Sequence, residues 1–191
     1  MSSVLDFYAD RLERVECDRG FVELGLVLRR GKTQDPYTIS DHKNFFFPLG
    51  SQIMNGDLIT RIDHDTKDQY IVVAKQIGDD NVAVQGKRIN THINIYKLVD
   101  KYDAKHKKIG VEEVLTEENV PSYTNEQVAS MRFYDAGLLE SCTRFFFTKQ
   151  GLDCDTLYRI KFSGANYEVV GIAKEKYRDM WVIQVKEDAR K

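Results

Sequence analysis

The feature that most constrains this sequence is that its second half echoes its first, in order, about one hundred residues on. Phe45-Phe46-Phe47 returns as Phe145-Phe146-Phe147, and Arg61-Ile62 as Arg159-Ile160, each after an acidic residue (Asp57 and Asp155). Tyr70-Ile71-Val72-Val73 returns as Tyr167-Glu168-Val169-Val170, and Val82-Ala83-Val84 as Trp181-Val182-Ile183 after a polar turn. The offsets are 100, 98, 97 and 99 residues, so gaps of one or two residues suffice. That period is too long for a solenoid, and two copies are too few for a propeller. The expectation is a duplication: two related small β-units joined by a charged segment.

The local patterns agree. Runs rich in Val, Ile, Phe and Tyr recur at Phe21–Leu28, Phe45–Phe47, Leu58–Ile62, Gln69–Gln76, Val82–Val84 and Ile89–Val99, with a short one at Tyr37–Ile39. They are separated by turn signals such as Asn55-Gly56-Asp57 and Gly78-Asp79-Asp80-Asn81. Short strands spaced about 8–12 residues apart predict a small barrel or sandwich. Ahead of them, Val4, Leu5, Tyr8, Leu12 and Val15 fall at helical spacing, behind Ser3 and Asp6 in capping positions. This predicts an amphipathic helix running to about Glu16. Asp100–Lys108 holds seven ionisable residues in nine, and the polar stretch continues to Gln127. It reads as a boundary, with some helix near Val111–Leu115 or from Asn125 to Met131. The fold expected is mainly β: two related small SH3-like barrel or meander units with an N-terminal amphipathic helix. Residues 1–100 hold the helix and first unit, 101–130 the charged connection and 131–191 the second unit.

Charge and motifs exclude more than they identify. The 28 basic and 30 acidic residues of the 191 divide as 13 and 15 up to residue 100, and 15 and 15 beyond it. Neither half carries the positive excess of a dedicated nucleic-acid or membrane-surface binder. No apolar run approaches the roughly 20 residues of a membrane span, and no secretory pattern opens the chain. Cys17, Cys142 and Cys154 form no CxxC pair and read as free thiols filling the core. His42, His64, His92 and His106 show no metal-binding spacing, and Asp63, Asp65 and Asp68 lack the glycine and final carboxylate of a calcium loop. GxGxxG, GxxxxGK and GxSxG are all missing, so no catalytic residue, cofactor or metal is expected.

One local pattern is familiar. Asn55-Gly56-Asp57-Leu58-Ile59, a polar turn, then Gln69-Tyr70-Ile71-Val72-Val73 resembles the core of the head-closure and head–tail joining proteins of tailed bacteriophages. Asp155–Ile160 followed by Asn166–Val170 is similar, with Cys154 in place of the glycine. The resemblance covers roughly residues 50–86 and 152–186. It implies a non-enzymatic virion protein forming a homo-oligomeric ring at the head–tail junction, present in host cytoplasm before assembly. Such a ring contacts portal or adaptor and tail proteins, and meets packaged DNA only non-specifically. The alternatives are another β-rich tail or baseplate adaptor and, from a different class, an SH3-like or OB-like nucleic-acid binder. Leu5, Tyr8 and Leu12 are the expected assembly contacts. A charged residue at Leu12 would then impair assembly and leave the β-units folded. The insertions Gly31–Lys43 and Asp100–Asn125 are further places for subunit contacts.

Overall fold

A computed structural model describes residues 4–29, 41–126, 141–174 and 179–190. The chain divides into two compact units, Met1–Ile89 with Arg178–Met180, and Asn90–Tyr177 with Trp181–Lys191. At the 89/90 boundary the Ile89 amide donates to Gln69 of the first unit, and the Asn90 amide to Ser122 of the second.

The first unit contains β1 (Leu12–Cys17), β2 (Phe21–Arg29), β3 (His42–Phe47), β4 (Leu58–Arg61), β5 (Gln69–Ile77) and β6 (Val82–Arg88). They close into an antiparallel barrel in the order β1-β2-β3-β6-β5-β4, with β1 against β4 completing the ring. The connection from β3 to β4 therefore passes from one side of the β1–β3 meander to the other. Alternation sets the core: Val15, Cys17, Phe45, Phe47, Ile59, Tyr70, Val72, Val82 and Val84 pack together inside. Phe45 meets Tyr70 edge-on at 5.2 Å between ring centres.

The second unit contains β7 (Thr91–Tyr102), β8 (Lys108–Glu126), β9 (Arg144–Lys149), β10 (Arg159–Phe162), β11 (Ala165–Ala173) and β12 (Met180–Glu187). Its closed order is β7-β8-β9-β12-β11-β10, which is the first barrel's order strand for strand. The likeness extends to an irregularity. Val72 pairs with Gly86 and Ala74 with Gln85, leaving Val73 as an extra residue in β5. Val169 pairs with Val185 and Gly171 with Gln184, leaving Val170 extra at the same place in β11. Matching bulges at matching positions are the structural form of the expected repeat.

The structure re-registers part of that repeat. Ile59 faces Tyr70, and Ile160 faces Tyr167. Gly56 and Leu157 donate to Val72 and Val169 respectively, both with positive φ, at 83° and 70°. Leu157 is thus the counterpart of Gly56, and Arg61 answers to Phe162; the sequence match of Arg61 with Arg159 is off by three residues. The phenylalanine triplets differ in phase as well: Phe45 and Phe47 enter the first core, whereas Phe146 enters the second.

Two further expectations fail. The N-terminal helix spans only Val4–Phe7, followed by a 3-10 turn at Ala9–Arg11, and Leu12–Cys17 is strand. Val15 satisfies both the helical and the alternating pattern, but β1 gains a six-residue ladder with β2 and closes the barrel against β4. The expected connection over 101–130 is not one as far as residue 126: β7 and β8 pair from Thr91–Ser122 out to Tyr102–Lys108, so Val111–Leu115 is strand and residues up to 100 do not form one unit. Tyr37–Ile39 and residues 127–131 lie outside the described residues.

Gly25 shows how tightly the first core is filled, since a Cβ there would stand 2.5 Å from the Phe47 ring. Gly25→Ala should cost about 1–3 kcal/mol by overpacking, read as a lower denaturation midpoint. An unchanged midpoint would show that this part of the core is loose.

Candidate functional site

The expected contact residues do not form one stripe. Leu5 lies in the short helix and is 6% exposed. Tyr8 is in the turn beyond it, edge-on to Phe7 and beneath the Arg11 guanidinium at 5.9 Å. Leu12 opens β1 opposite Leu26. Leu12 is half-buried there, out of phase with Val15 and Cys17, which enter the core. Sequence reasoning missed the outward face of β2 beside it, where Val22, Leu24 and Leu28 are exposed at alternate positions.

The three cysteines and four histidines do not converge. Cys17 lies near Asp18 and Asp57, the one grouping among the described residues with metal-ligand spacing. Its chemistry is already committed. Arg19 donates to both Asp57 oxygens at 2.9 and 2.7 Å, the Met54 amide donates to the same carboxylate at 2.7 Å, and Arg19 also donates to the Gln52 carbonyl. This braces the β3–β4 connection against the turn after β1. A cation would have to displace the guanidinium. Burial pushes the Cys17 thiol up to about 11 and that of Cys154 to about 12, and Cys142 donates to the Arg144 carbonyl while fully buried. Such thiols are poor nucleophiles at neutral pH.

In the second unit, the hairpin of β7 and β8 outgrows the barrel. β7 pairs with β10 only at Asn94–Tyr96, and β8 with β9 only at Tyr123–Glu126. From Lys97 to Leu115 the two strands pair, among the described residues, with each other alone, an arm about 20 Å long on each side. Register slips at Ile93/Ile95 and Ile95/Tyr96 bend its root. Val99, Tyr102, Ile109, Val111, Val114 and Leu115 are exposed along it. Its tip, residues 101–108, carries four lysines against Asp103.

Under the arm lies a cleft of about 730 Å³, reached by Asp100, Val111 and Glu113 from above and Leu157 and Arg190 from below. Its charges hold one another. Glu113 accepts from Arg159 and Lys161, which keeps its carboxyl below the usual range. Arg159 donates to Asp188 at 2.7 Å and to the Arg190 carbonyl at 2.9 Å. Arg190 donates to Asp188 at 2.8 Å and to the Leu157 carbonyl at 2.8 Å. Burial alone would raise the Asp188 carboxyl, but hydrogen bonds from Arg190 and Arg159 outweigh it and hold the group well below the ordinary carboxylate range. The cluster fixes the root of the arm and the stretch after β12 to the barrel. Glu113, Arg159, Asp188 and Arg190 are thus bound to one another within the cleft.

No protein-family model matches this chain, and no curated protein matches it significantly.

Two predictions follow from these environments. Because the Asp188 carboxyl is depressed on folding, its contribution is present above the unfolded value of about 3.9 and is lost as pH falls toward the folded one. Thermal stability should therefore decline with acidification below about pH 5, and Asp188→Asn should flatten that decline while costing about 3 kcal/mol at neutral pH. An unaltered pH profile in the variant would contradict this role. A water-soluble thiol reagent should leave all three cysteines unmodified in the native protein and titrate all three after denaturation; prompt native reaction would refute their burial.

Proposed function

We propose that the protein is a non-enzymatic structural component of a tailed-phage virion, a ring subunit at the head–tail junction that seals the head and docks the tail. The observation that carries this reading is the tandem pair of closed barrels with identical strand order. A closed barrel has no free edge within it, so it packs beside its neighbours as a rigid block. Small SH3-like barrels serve as ring modules in the head–tail joining proteins that the Gly56-Asp57 pattern resembles, and a duplicated chain would contribute two per subunit.

On this reading the partners are further copies in a homo-oligomeric ring, portal or adaptor proteins on one side and tail proteins on the other. The exposed β2 face, with Tyr8 and Leu12 close by in sequence, offers apolar area for such contacts. DNA would be met only through phosphates and without base reading, by groups such as the lysines of the arm tip. The protein would reside in host cytoplasm until assembly and in the virion afterwards.

The reading predicts ring-shaped particles by electron microscopy and the protein's presence in purified virions by mass spectrometry. A chain absent from virions that forms no ring would overturn it. The arm's basic tip favours one second reading, a nucleic-acid binder. That predicts binding to duplex or single strands that weakens steeply with salt, and no binding at low ionic strength would remove it.

A further inference from the structure

The outer strand of the arm carries a sequence that is its own complement. Around Gly110 the chain reads Lys107-Lys108-Ile109-Gly110-Val111-Glu112-Glu113, a palindrome in size with the charge inverted across its centre. We propose that this edge of β8 is a docking surface for a second copy of the same chain, paired antiparallel about a two-fold axis at Gly110.

In that register Lys108 faces Glu112 of the second copy and Ile109 faces its Val111, while Lys107, held by Asp103 in the tip turn, lies just beyond the ladder opposite Glu113. Each contact occurs twice, as an isologous interface requires. Opposite charges and apolar pairs directly across a ladder are the stabilising combinations. Other registers lose them: centring on Lys108 sets lysine on lysine, and centring on Glu112 sets glutamate on glutamate. Parallel in-register pairing stacks like on like throughout.

Among the described residues, no strand pairs with this edge. β8 is bonded on one side to β7, and its first partner on the other side is β9, at Tyr123–Glu126. Ile109 is 58% exposed, Val111 is exposed, and a Cβ at Gly110 would meet nothing within 4 Å. A two-stranded ribbon is marginal alone, whereas four strands sharing apolar side chains are not. Lys108 bonds Asp100 at 2.6 Å in its own chain and keeps further donors for the facing glutamate. Glu113 is already engaged by Arg159 and Lys161, so Lys108 and Glu112 make the discriminating pair. The register shift opposite Lys101 and Tyr102 leaves Ile109 as the extra residue of β8, so each copy brings one bulge to the edge beside Gly110. The inference stands apart from the virion reading, because a two-fold contact closes on itself whether or not the pair enters a ring.

Sedimentation velocity on the full chain tests it. The unmodified protein should show a concentration-dependent monomer–dimer equilibrium. Lys108→Glu and Glu112→Lys should each weaken the dimer about tenfold or more, since each change acts at two places. The double variant, and an equimolar mixture of the two single variants, should both restore it, because each again pairs opposite charges. Gly110→Cys places two thiols about 5 Å apart between Cα atoms, within disulfide range, and should yield a disulfide-linked dimer under mild oxidation. Lys101→Cys, on the far strand at roughly 14 Å, should not. Gly110→Cys decides the matter even where a charge reversal unfolds the arm. A chain that stays monomeric with no selective Gly110→Cys cross-link, or a dimer indifferent to both reversals, would overturn the proposal.

Discussion

Closure of the sheet is the constraint on which the rest of this structure depends. Each unit has six strands, and each seals because its first strand finds its fourth: Val15–Cys17 on Arg61–Ile59 in one, Asn94–Tyr96 on Lys161–Arg159 in the other. Both seams also carry charge. Arg61 donates to both oxygens of Glu13 at 2.8 Å, and the Lys161 ammonium lies 4.6 Å from the Tyr96 ring centre. With edges sealed, the interior fills by alternation, and the bulges at Val73 and Val170 supply the coiling that a small closed sheet needs.

Closure also explains what is left over. β7 and β8 are longer than their barrel, and the excess becomes an arm with a bonded middle and two edges that no strand among the described residues covers. An edge of that kind is a hazard unless its chemistry selects a partner. The charge-inverted run around Gly110 turns such an edge into one that fits a single register. The network of Glu113, Arg159, Asp188 and Arg190 has a complementary task, holding the arm's root while its outer half remains available.

Much of this was legible in the residues. Repetition of the Phe, Tyr-x-Val-Val and Val-x-Val elements announced two like β-units, and turn residues at Gly56 and Gly78 placed strand ends correctly. What failed did so for physical reasons. The Val4–Val15 periodicity is helical on paper, but Val15-Glu16-Cys17 alternates, and only the distant pairing with β4 decides between the two. Arg61 and Arg159 look equivalent because both follow an aspartate, yet Leu157, in a left-handed conformation, fills the role of Gly56. The charged run from Asp100 looked like a linker because a two-stranded arm has no core-facing side, so its apolar residues show no inside–outside rhythm. The contact residues placed on a terminal helix suffered from the same misreading of β1. The surfaces that stand out instead, the β2 face and the arm, are defined by exposure and free edges, which composition does not register.

Residue-resolved hydrogen exchange tests the central claim most directly, that both sheets are closed and the arm alone extends beyond them. The account predicts slow exchange, of similar degree, for the bonded amides along the β1–β4 and β7–β10 seams. It predicts much faster exchange for amides on the outer edges of residues 97–115 at low protein concentration, slowing as concentration rises. Rapid exchange along either seam, matching that of the arm, would mean an open sheet and contradict the account.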